Sequence, residues 1–191
     1  MPAPMMNTVN LTNHFLIAMP SLEDENFSRS VTLICEHNEE GALGIVINRP
    51  TDFTLGELLE QLELIEDADR FSTTTLYSGG PVQVEHGFIL HQPAGHWQHS
   101  LHITDELALT TSRDLLEAIA QGESPDESLI ALGYAGWGAG QLEYELSENA
   151  WLTTPADSEI LFHLPADQRW QAAASRLGVD LSLLSGDMGH A

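Results

Sequence analysis

Apolar and polar residues alternate along much of the chain, which is the pattern of half-buried β-strands. Residues 31–37 alternate in this way, 38–41 supply the polar and glycine residues of a turn, and 43–48 return as a second apolar run. This order predicts a β-hairpin. Further strands are predicted at 75–78, 87–91, 98–103, 106–110 and 128–134.

Four segments combine apolar residues at the helical period with capping residues at their ends. Thr54 and Glu57 form the pattern of a capping box, in which each side chain hydrogen-bonds the other residue's backbone amide. Ser112 is the expected cap of a second helix, and Pro165 is the expected first residue of the last one. The predicted helices run from 54 to about 66, at 113–121, at 141–149 and from 165 to 177.

The order of these elements predicts the fold class. Strands follow one another through loops more often than through helices, and this favours antiparallel pairing over a doubly wound parallel sheet. No linker or repeat divides the sequence. We therefore expect a single α+β domain over residues 1–191, with loose ends at 1–12 and 185–191.

Charge and composition exclude several kinds of protein. The formal net charge is −23, and the six basic residues are all arginines. Such a chain repels DNA phosphates and lacks the lysine of a phosphate-binding P-loop, so we expect no direct binding to nucleic acid. Its single cysteine, Cys35, fits a reducing compartment, and we expect a cytoplasmic protein. The apolar run at 129–140 is shorter than the ~18 residues of a membrane span.

Histidine and cysteine raise two chemical possibilities. Five histidines lie close together in the sequence, and a loop with Pro93 and Gly95 could bring His91 and His96 together as metal ligands; surface histidines are the alternative. Cys35 and His37 would share a face of one strand, as a thiol and imidazole pair or as a core thiol beside a histidine. We expect no resident metal and no cofactor.

Two further segments could bind an anion. Residues 133–140 are rich in glycine, but Gln141 stands where a dinucleotide fingerprint that starts at Gly136 and Gly138 needs its third glycine. The glycines are therefore expected to allow a tight turn and close packing around Trp137. Arg49, held extended by Pro50, is a candidate anion site, with a structural salt bridge as the alternative.

Several short motifs, in order, resemble the AlgH/YqgE family of bacterial proteins. They lie at 18–27, 36–44, 46–50, 79–82 and 133–143, and the similarity runs from about residue 13 to residue 151. The resemblance implies one α+β domain with a branched, partly barrel-like antiparallel sheet flanked by helices. One branch of the family is described as a transcriptional regulator that affects alginate production. The resemblance implies no catalytic residues.

The motif positions that this resemblance singles out all lie at predicted strand ends or helix starts. We expect them to converge on one side of the sheet, where loop amides and the arginine would line a pocket for a small anionic ligand. The alternative is a network of turns with a salt bridge between the arginine and Glu145. The residues are Asn48, Arg49, Gly79, Gly80, Pro81, Gly136, Trp137, Gln141 and Glu145.

Three functions follow from these candidates. The first is a non-catalytic regulatory protein that acts through contacts with a protein or a small ligand. The second is a ligand-binding protein or enzyme that uses a pocket around Arg49. The third is a metalloprotein built on the histidine cluster. The partner and the oligomeric state stay open.

Overall fold

The computed structural model describes residues 10–184, which form a curled, branched sheet of ten strands with helices packed against it. The strands are β1 (His14–Ala18), β2 (Val31–Asn38), β3 (Gly41–Val46), β4 (Pro50–Thr54), β5 (Thr75–Ser78), β6 (Val82–Gln92), β7 (Ser100–His102), β8 (Ala108–Thr110), β9 (Glu127–Gly138) and β10 (Trp151–Pro155). The helices are α1 (Leu55–Gln61), α2 (Arg113–Ala120), α3 (Gln141–Ser147), α4 (Ala166–Ser175) and α5 (Leu181–Leu184). A 3₁₀ turn at Ala68–Phe71 and a π-helical turn at Glu159–His163 complete the secondary structure.

The sheet branches at β9, its longest strand. Its main path runs β10-β1-β2-β3-β9-β6-β8-β7. One edge of β9 pairs with β6, whereas the other edge pairs first with β5 and then with β3. Strand β5 also carries β4, and the β5–β9 pair is parallel while the other pairs are antiparallel. The expected α+β class with a mostly antiparallel, branched sheet is therefore confirmed.

The core has three parts, each between the sheet and different helices. The largest joins the sheet to α4, α5 and the π-helical turn. A second lies under α1 and α2, and a third lies between α3 and the ends of β1, β2 and β9. Burial of apolar side chains at roughly 25 cal/mol per Å² is the main force that holds these layers together.

Several sequence predictions hold at the level of single residues. The β2–β3 hairpin forms with its turn at Asn38–Gly41, and β5 covers the predicted residues. Helix α1 begins with the predicted capping box, because Thr54 and Glu57 exchange hydrogen bonds with each other's backbone. These elements were predictable because their signals are local.

Other boundaries differ from the prediction. Strand β9 continues to Gly138, so most of the glycine segment is strand and not turn. Helix α1 ends at Gln61, well before residue 66. Pro165 is the N-cap of α4 and lies just before its first residue. Ser112 holds the N-cap position of α2 without a capping hydrogen bond, since its hydroxyl donates to the side chain of Asp114.

The expected loose ends fall largely outside the described part of the chain, which leaves out 1–9 and 185–191. Leu11, which the prediction placed in the first of them, is buried, and its amide donates to the Nδ1 atom of His37. Among the described helices, none has the length and apolar character that crossing a membrane requires.

Candidate functional site

Arg49 lies just before β4 and holds the loop between β1 and β2. Its Nη1 atom donates to the carbonyls of Glu25 at 3.0 Å and Asn26 at 2.5 Å, and its Nη2 atom donates to the carbonyl of Ser28 at 2.6 Å. Burial lowers the pKa of Arg49, and the nearby Asp24 carboxylate opposes this shift. The guanidinium therefore anchors a loop through three backbone carbonyls.

Asn48 fixes the end of the same loop. Its Oδ1 atom accepts from the amide of Val31 at 3.0 Å, and its Nδ2 atom donates to the carbonyl of Arg29 at 3.0 Å. Arg29 adopts a left-handed backbone conformation, with φ of 57°, and its guanidinium lies 5.4 Å from the centre of the Trp170 ring. The two motif residues before β4 thus act together on the loop that leads into β2.

Glu145 on α3 accepts hydrogen bonds from two buried tryptophan side chains. Its Oε1 atom accepts from the Nε1 atoms of Trp137 and Trp151, both at 2.9 Å. Gln141 donates to the other carboxylate oxygen at 3.0 Å and accepts from the amide of Gly138. Of the alternatives considered for Arg49 and Glu145, the direct salt bridge is wrong, because tryptophan and glutamine N–H groups surround this carboxylate.

Phe27 joins the two motif groups. Its ring lies 5.8 Å from the ring of Trp137 and 5.6 Å from that of Trp151, and it belongs to the loop that Arg49 holds. The β1–β2 loop is therefore held by Arg49 at its backbone carbonyls and by the two tryptophans at the side chain of Phe27. The structure brings these motif residues together through an aromatic contact, a link that the sequence reading missed.

Gly79 and Gly80 stand where β3 and β5 meet the same edge of β9. The carbonyl of Gly79 accepts from the amide of Val46, and its amide donates to the carbonyl of Leu132. A Cβ atom on Gly80 would lie 2.1 Å from the carbonyl carbon of Tyr134. The close approach of backbones at the fork of the sheet explains these two glycines.

The remaining motif residues, Gly136 and Pro81, also lie in the sheet or next to one of its strands. Gly136 pairs with Leu43 inside the β3–β9 ladder, and Pro81 is exposed just before β6. The geometry accounts for the motif through loop anchoring and sheet branching. Binding of a small anion at these residues stays a prediction.

The two candidate metal ligands, His91 and His96, differ in burial. His91 is fully buried, its Nδ1 atom donates to the carbonyl of Pro93 at 3.0 Å, and its Nε2 atom accepts from the hydroxyl of Thr110 at 2.7 Å. Both ring nitrogens are therefore engaged, whereas His96 is exposed. Over residues 10–184, no three histidine, cysteine or acidic side chains are placed to hold a metal ion together.

Burial lowers the pKa of His91 below 6.5, with His102 adding to the shift and the Pro93 carbonyl opposing it. The unfolded chain therefore takes up a proton near pH 6.5 that the folded chain resists. We expect the free energy of unfolding, measured with urea, to fall as the pH is lowered from about 7.5 to about 5.5. His91→Gln should flatten this pH dependence, whereas His86→Gln, at an exposed site, should leave the pH dependence unchanged. Equal slopes in both variants would show that His91 does not cause it.

Cys35 and His37 do not form a pair, because a β-bulge lies between Ile34 and Glu36. Cys35 belongs to the largest core cluster, whereas His37 pairs across the hairpin with Ala42, which packs in the cluster beneath α3. Burial raises the pKa of the Cys35 thiol and keeps it protonated. The predicted shared face is wrong, since the extra residue of the bulge reverses the alternation.

An apolar groove that the sequence reading missed lies between α1, β4 and the start of β6. Phe53 and Val84 are 58% and 55% exposed at its sides. We call it the Phe53 groove; its volume is about 250 Å³, and its lining is Phe53, Glu57, Leu58, Gln61, Leu76, Val84, Glu85 and Leu132. The available sequence signal was that Phe53 and Val84 are each a single apolar residue between two polar neighbours.

Comparison with known proteins gives one consistent result. A family model described as AlgH-like matches residues 15–182. A UPF0301 protein of Thioalkalivibrio sulfidiphilus is 62% identical over 187 residues, which cover 98% of this chain and all of that protein. A UPF0301 protein of Nitrosococcus oceani is 56% identical, over 94% of this chain and 96% of that protein.

Two solved structures share the fold. The AlgH protein from Pseudomonas aeruginosa is 54% identical, with a TM-score of 0.79 over 95% of this chain and 96% of that one. A protein of Corynebacterium diphtheriae is 22% identical, with a TM-score of 0.73 over 95% and 94% of the two chains, and shows the fold alone.

Proposed function

Since the chain belongs to the AlgH-like family, we propose that it is a non-catalytic regulatory protein that acts by binding another protein in the cytoplasm. Its effect would fall on transcription or on the production of an exopolysaccharide such as alginate, without direct contact with DNA. The net charge of −23 supports the last point, because a duplex would have to overcome this repulsion. The Phe53 groove is the surface proposed to make the contact.

The exposure of Phe53 and Val84 carries the proposal. A phenylalanine on β4 and a valine on β6, both more than half exposed, contribute little to the stability of the fold, whereas covering them would stabilise a complex. Leu58, Leu76 and Leu132 line the groove between them. This arrangement suits an apolar side chain from a partner, because a few buried apolar anchors supply most of the affinity at protein interfaces.

Charge indicates the kind of partner. Glu57 and Glu85 line the same groove, which contains no basic side chain in its described lining. The whole chain is also strongly acidic. The proposed partner therefore presents an amphipathic segment in which leucine or a similar residue is flanked by lysine or arginine.

A synthetic helical peptide with leucine on one face and lysine on the other tests this. Its binding to the protein is measured by fluorescence anisotropy at ~150 mM salt. The double variant Phe53→Ser with Val84→Ser should weaken binding about tenfold or more, because each buried apolar side chain contributes about 1.5–3 kcal/mol. Leu183→Ser removes an apolar residue that is 76% exposed elsewhere and should change the affinity less than twofold. Equal weakening by both changes would refute the groove.

A second measurement asks the same question in the producing cell. A photo-crosslinking residue at Val84 should capture a partner peptide that carries lysine or arginine among apolar residues, and one at Leu183 should not. Duplex DNA at the same salt should not bind the purified protein. Crosslinks to DNA, or to peptides without basic residues, would overturn the proposal.

The site around Arg49 is a weaker basis for function. The hydrogen bonds of Nη1 and Nη2 already go to three loop carbonyls, so an anion would have to share the guanidinium with them. The histidine cluster likewise offers a buried His91 with both nitrogens engaged. Neither arrangement favours a second function as specifically as the groove favours the first.

A further inference from the structure

Arg169 is a buried arginine without a carboxylate partner. It is 4% exposed, its Nε atom donates to the carbonyl of Leu164 at 3.0 Å, and its Nη1 atom donates to the carbonyl of Ile47. Its guanidinium lies 5.1 Å from the centre of the Tyr77 ring. Within residues 10–184, Nη2 makes no hydrogen bond, and no carboxylate lies within 4.0 Å of the guanidinium. A buried positive charge in this state is costly unless an anion completes it.

This arginine lines a polar cleft of about 300 Å³, which we call the Arg169 cleft. The cleft lies where β5 and β9 part, since their ladder covers only Tyr77–Ala131 and Ser78–Leu132. Leu129, Ile130, Leu161 and Phe162 supply the apolar part of its wall. Its volume suits a small metabolite.

The other lining residues of the cleft all carry hydroxyl groups. Within the described chain, none of them makes a side-chain hydrogen bond to another protein group, so each can donate to or accept from a ligand. They belong to Thr73, Thr74, Thr75, Tyr77 and Ser128. A buried guanidinium with free N–H groups, beside several residues whose hydroxyls are free, suits an oxyanion with a hydroxylated body.

The surrounding charge does not prevent such binding. Glu127, next to Ser128 in β9, pairs its carboxylate with the Nε2 atom of His163 at 3.0 Å. No acidic residue is part of the described lining of the cleft, and exposed carboxylates farther away than about 8–10 Å are screened at physiological salt. Arg169 is the only charged residue in the described lining of the cleft, and it is shielded from solvent.

We infer that the Arg169 cleft binds a small polyhydroxylated oxyanion, whose carboxylate or phosphate receives hydrogen bonds from Nη2 of Arg169. The hydroxyls of the ligand would exchange hydrogen bonds with Thr75 and Ser128. This site is separate from the Phe53 groove and does not depend on it, because its lining shares no residue with that groove.

Isothermal titration calorimetry with three probes of one carbon skeleton tests the inference. Glycerol 3-phosphate and glycerate differ in the oxyanion, and glycerol has none. We expect one or both anions to bind and glycerol not to bind, and the ratio of the two affinities identifies phosphate or carboxylate as the preferred group. Absence of heat with both anions up to about 10 mM would overturn the inference.

Variants place the binding in the cleft. Arg169→Gln should weaken anion binding about tenfold or more, because the anion loses its charge-assisted hydrogen bonds. Arg113→Gln changes the net charge equally at an exposed position on α2 and should change the affinity less than twofold. If Arg169→Gln does not fold, Thr75→Val with Ser128→Ala decides, with an expected loss of about threefold or more. Unchanged affinity in that pair would refute the site.

Discussion

Replacing Gly80 with alanine is expected to lower the free energy of unfolding by about 3 kcal/mol or more, or to prevent folding. The added Cβ atom would lie 2.1 Å from the carbonyl carbon of Tyr134 and 2.4 Å from the amide nitrogen of Ala135. Both are backbone atoms of β9, the strand at which the sheet branches, so neither can move as a side chain can. Urea unfolding followed by tryptophan fluorescence and circular dichroism measures the loss.

A matched substitution elsewhere in the sheet provides the control. Gly87 lies in β6, and a Cβ atom there would meet only the Cδ2 atom of Leu58, at 4.0 Å. Gly87→Ala should therefore change the free energy of unfolding by less than about 1 kcal/mol. If Gly80→Ala proved as stable as Gly87→Ala, the close approach of backbones would not explain this motif glycine. Such a result would favour the hypothesis that Gly80 contacts a ligand.

Removing the carboxylate of Glu145 is expected to cost about 2–4 kcal/mol, because two buried indole N–H groups would lose their acceptor. Trp137 and Trp151 are each 5% exposed, so water cannot readily replace the carboxylate. Glu145→Ala tests this, and Glu145→Gln, which retains a carbonyl acceptor, should recover part of the loss. Urea unfolding gives the energies, and the fluorescence of the folded state reports on the indoles.

Glu148→Ala is the control for this change. Glu148 is exposed at the end of α3, so its removal alters the net charge equally while leaving the indoles untouched. In a chain of net charge −23, loss of one acidic group should itself be slightly stabilising. Equal stability of the two alanine variants would show that the hydrogen bonds to Glu145 contribute little.

The sequence predicted those elements whose signals are local. The β2–β3 hairpin and the capping box of α1 depend on residues a few positions apart. Strands β1 and β10 were missed, because their short apolar runs become strands through pairing with segments that are distant in the sequence or, for β1, also with β2. The glycines of β9 suggested a turn, but the long strand accommodates them because other backbones approach it closely.

The candidate site was predictable only in part. Short motifs selected Arg49, Trp137 and Glu145, and the structure joins them through the loop that carries Phe27. The contacts themselves could not be read from the sequence, since they link residues far apart in the chain. Strict alternation placed Cys35 and His37 together, and a single bulge separated them.

Arg169 shows the same limit more clearly. It stands between Gln168 and Trp170 at the start of an amphipathic helix, where an arginine is ordinarily a surface residue. Only the fold shows that it points inward beneath β5 and β9, beside Tyr77. Burial of a charge depends on tertiary structure, and no pattern in one chain predicts it.

The pairing of β1 with β10 has a consequence for biosynthesis. The first described strand has the last one as its outer neighbour, and Trp170 of α4 donates to the carbonyl of Ala18 at the end of β1. The sheet of the nascent polypeptide therefore cannot be completed until β10 has emerged from the ribosome. Until then the outer edge of β1 lacks its partner strand, and such an edge is prone to aggregation unless a chaperone covers it.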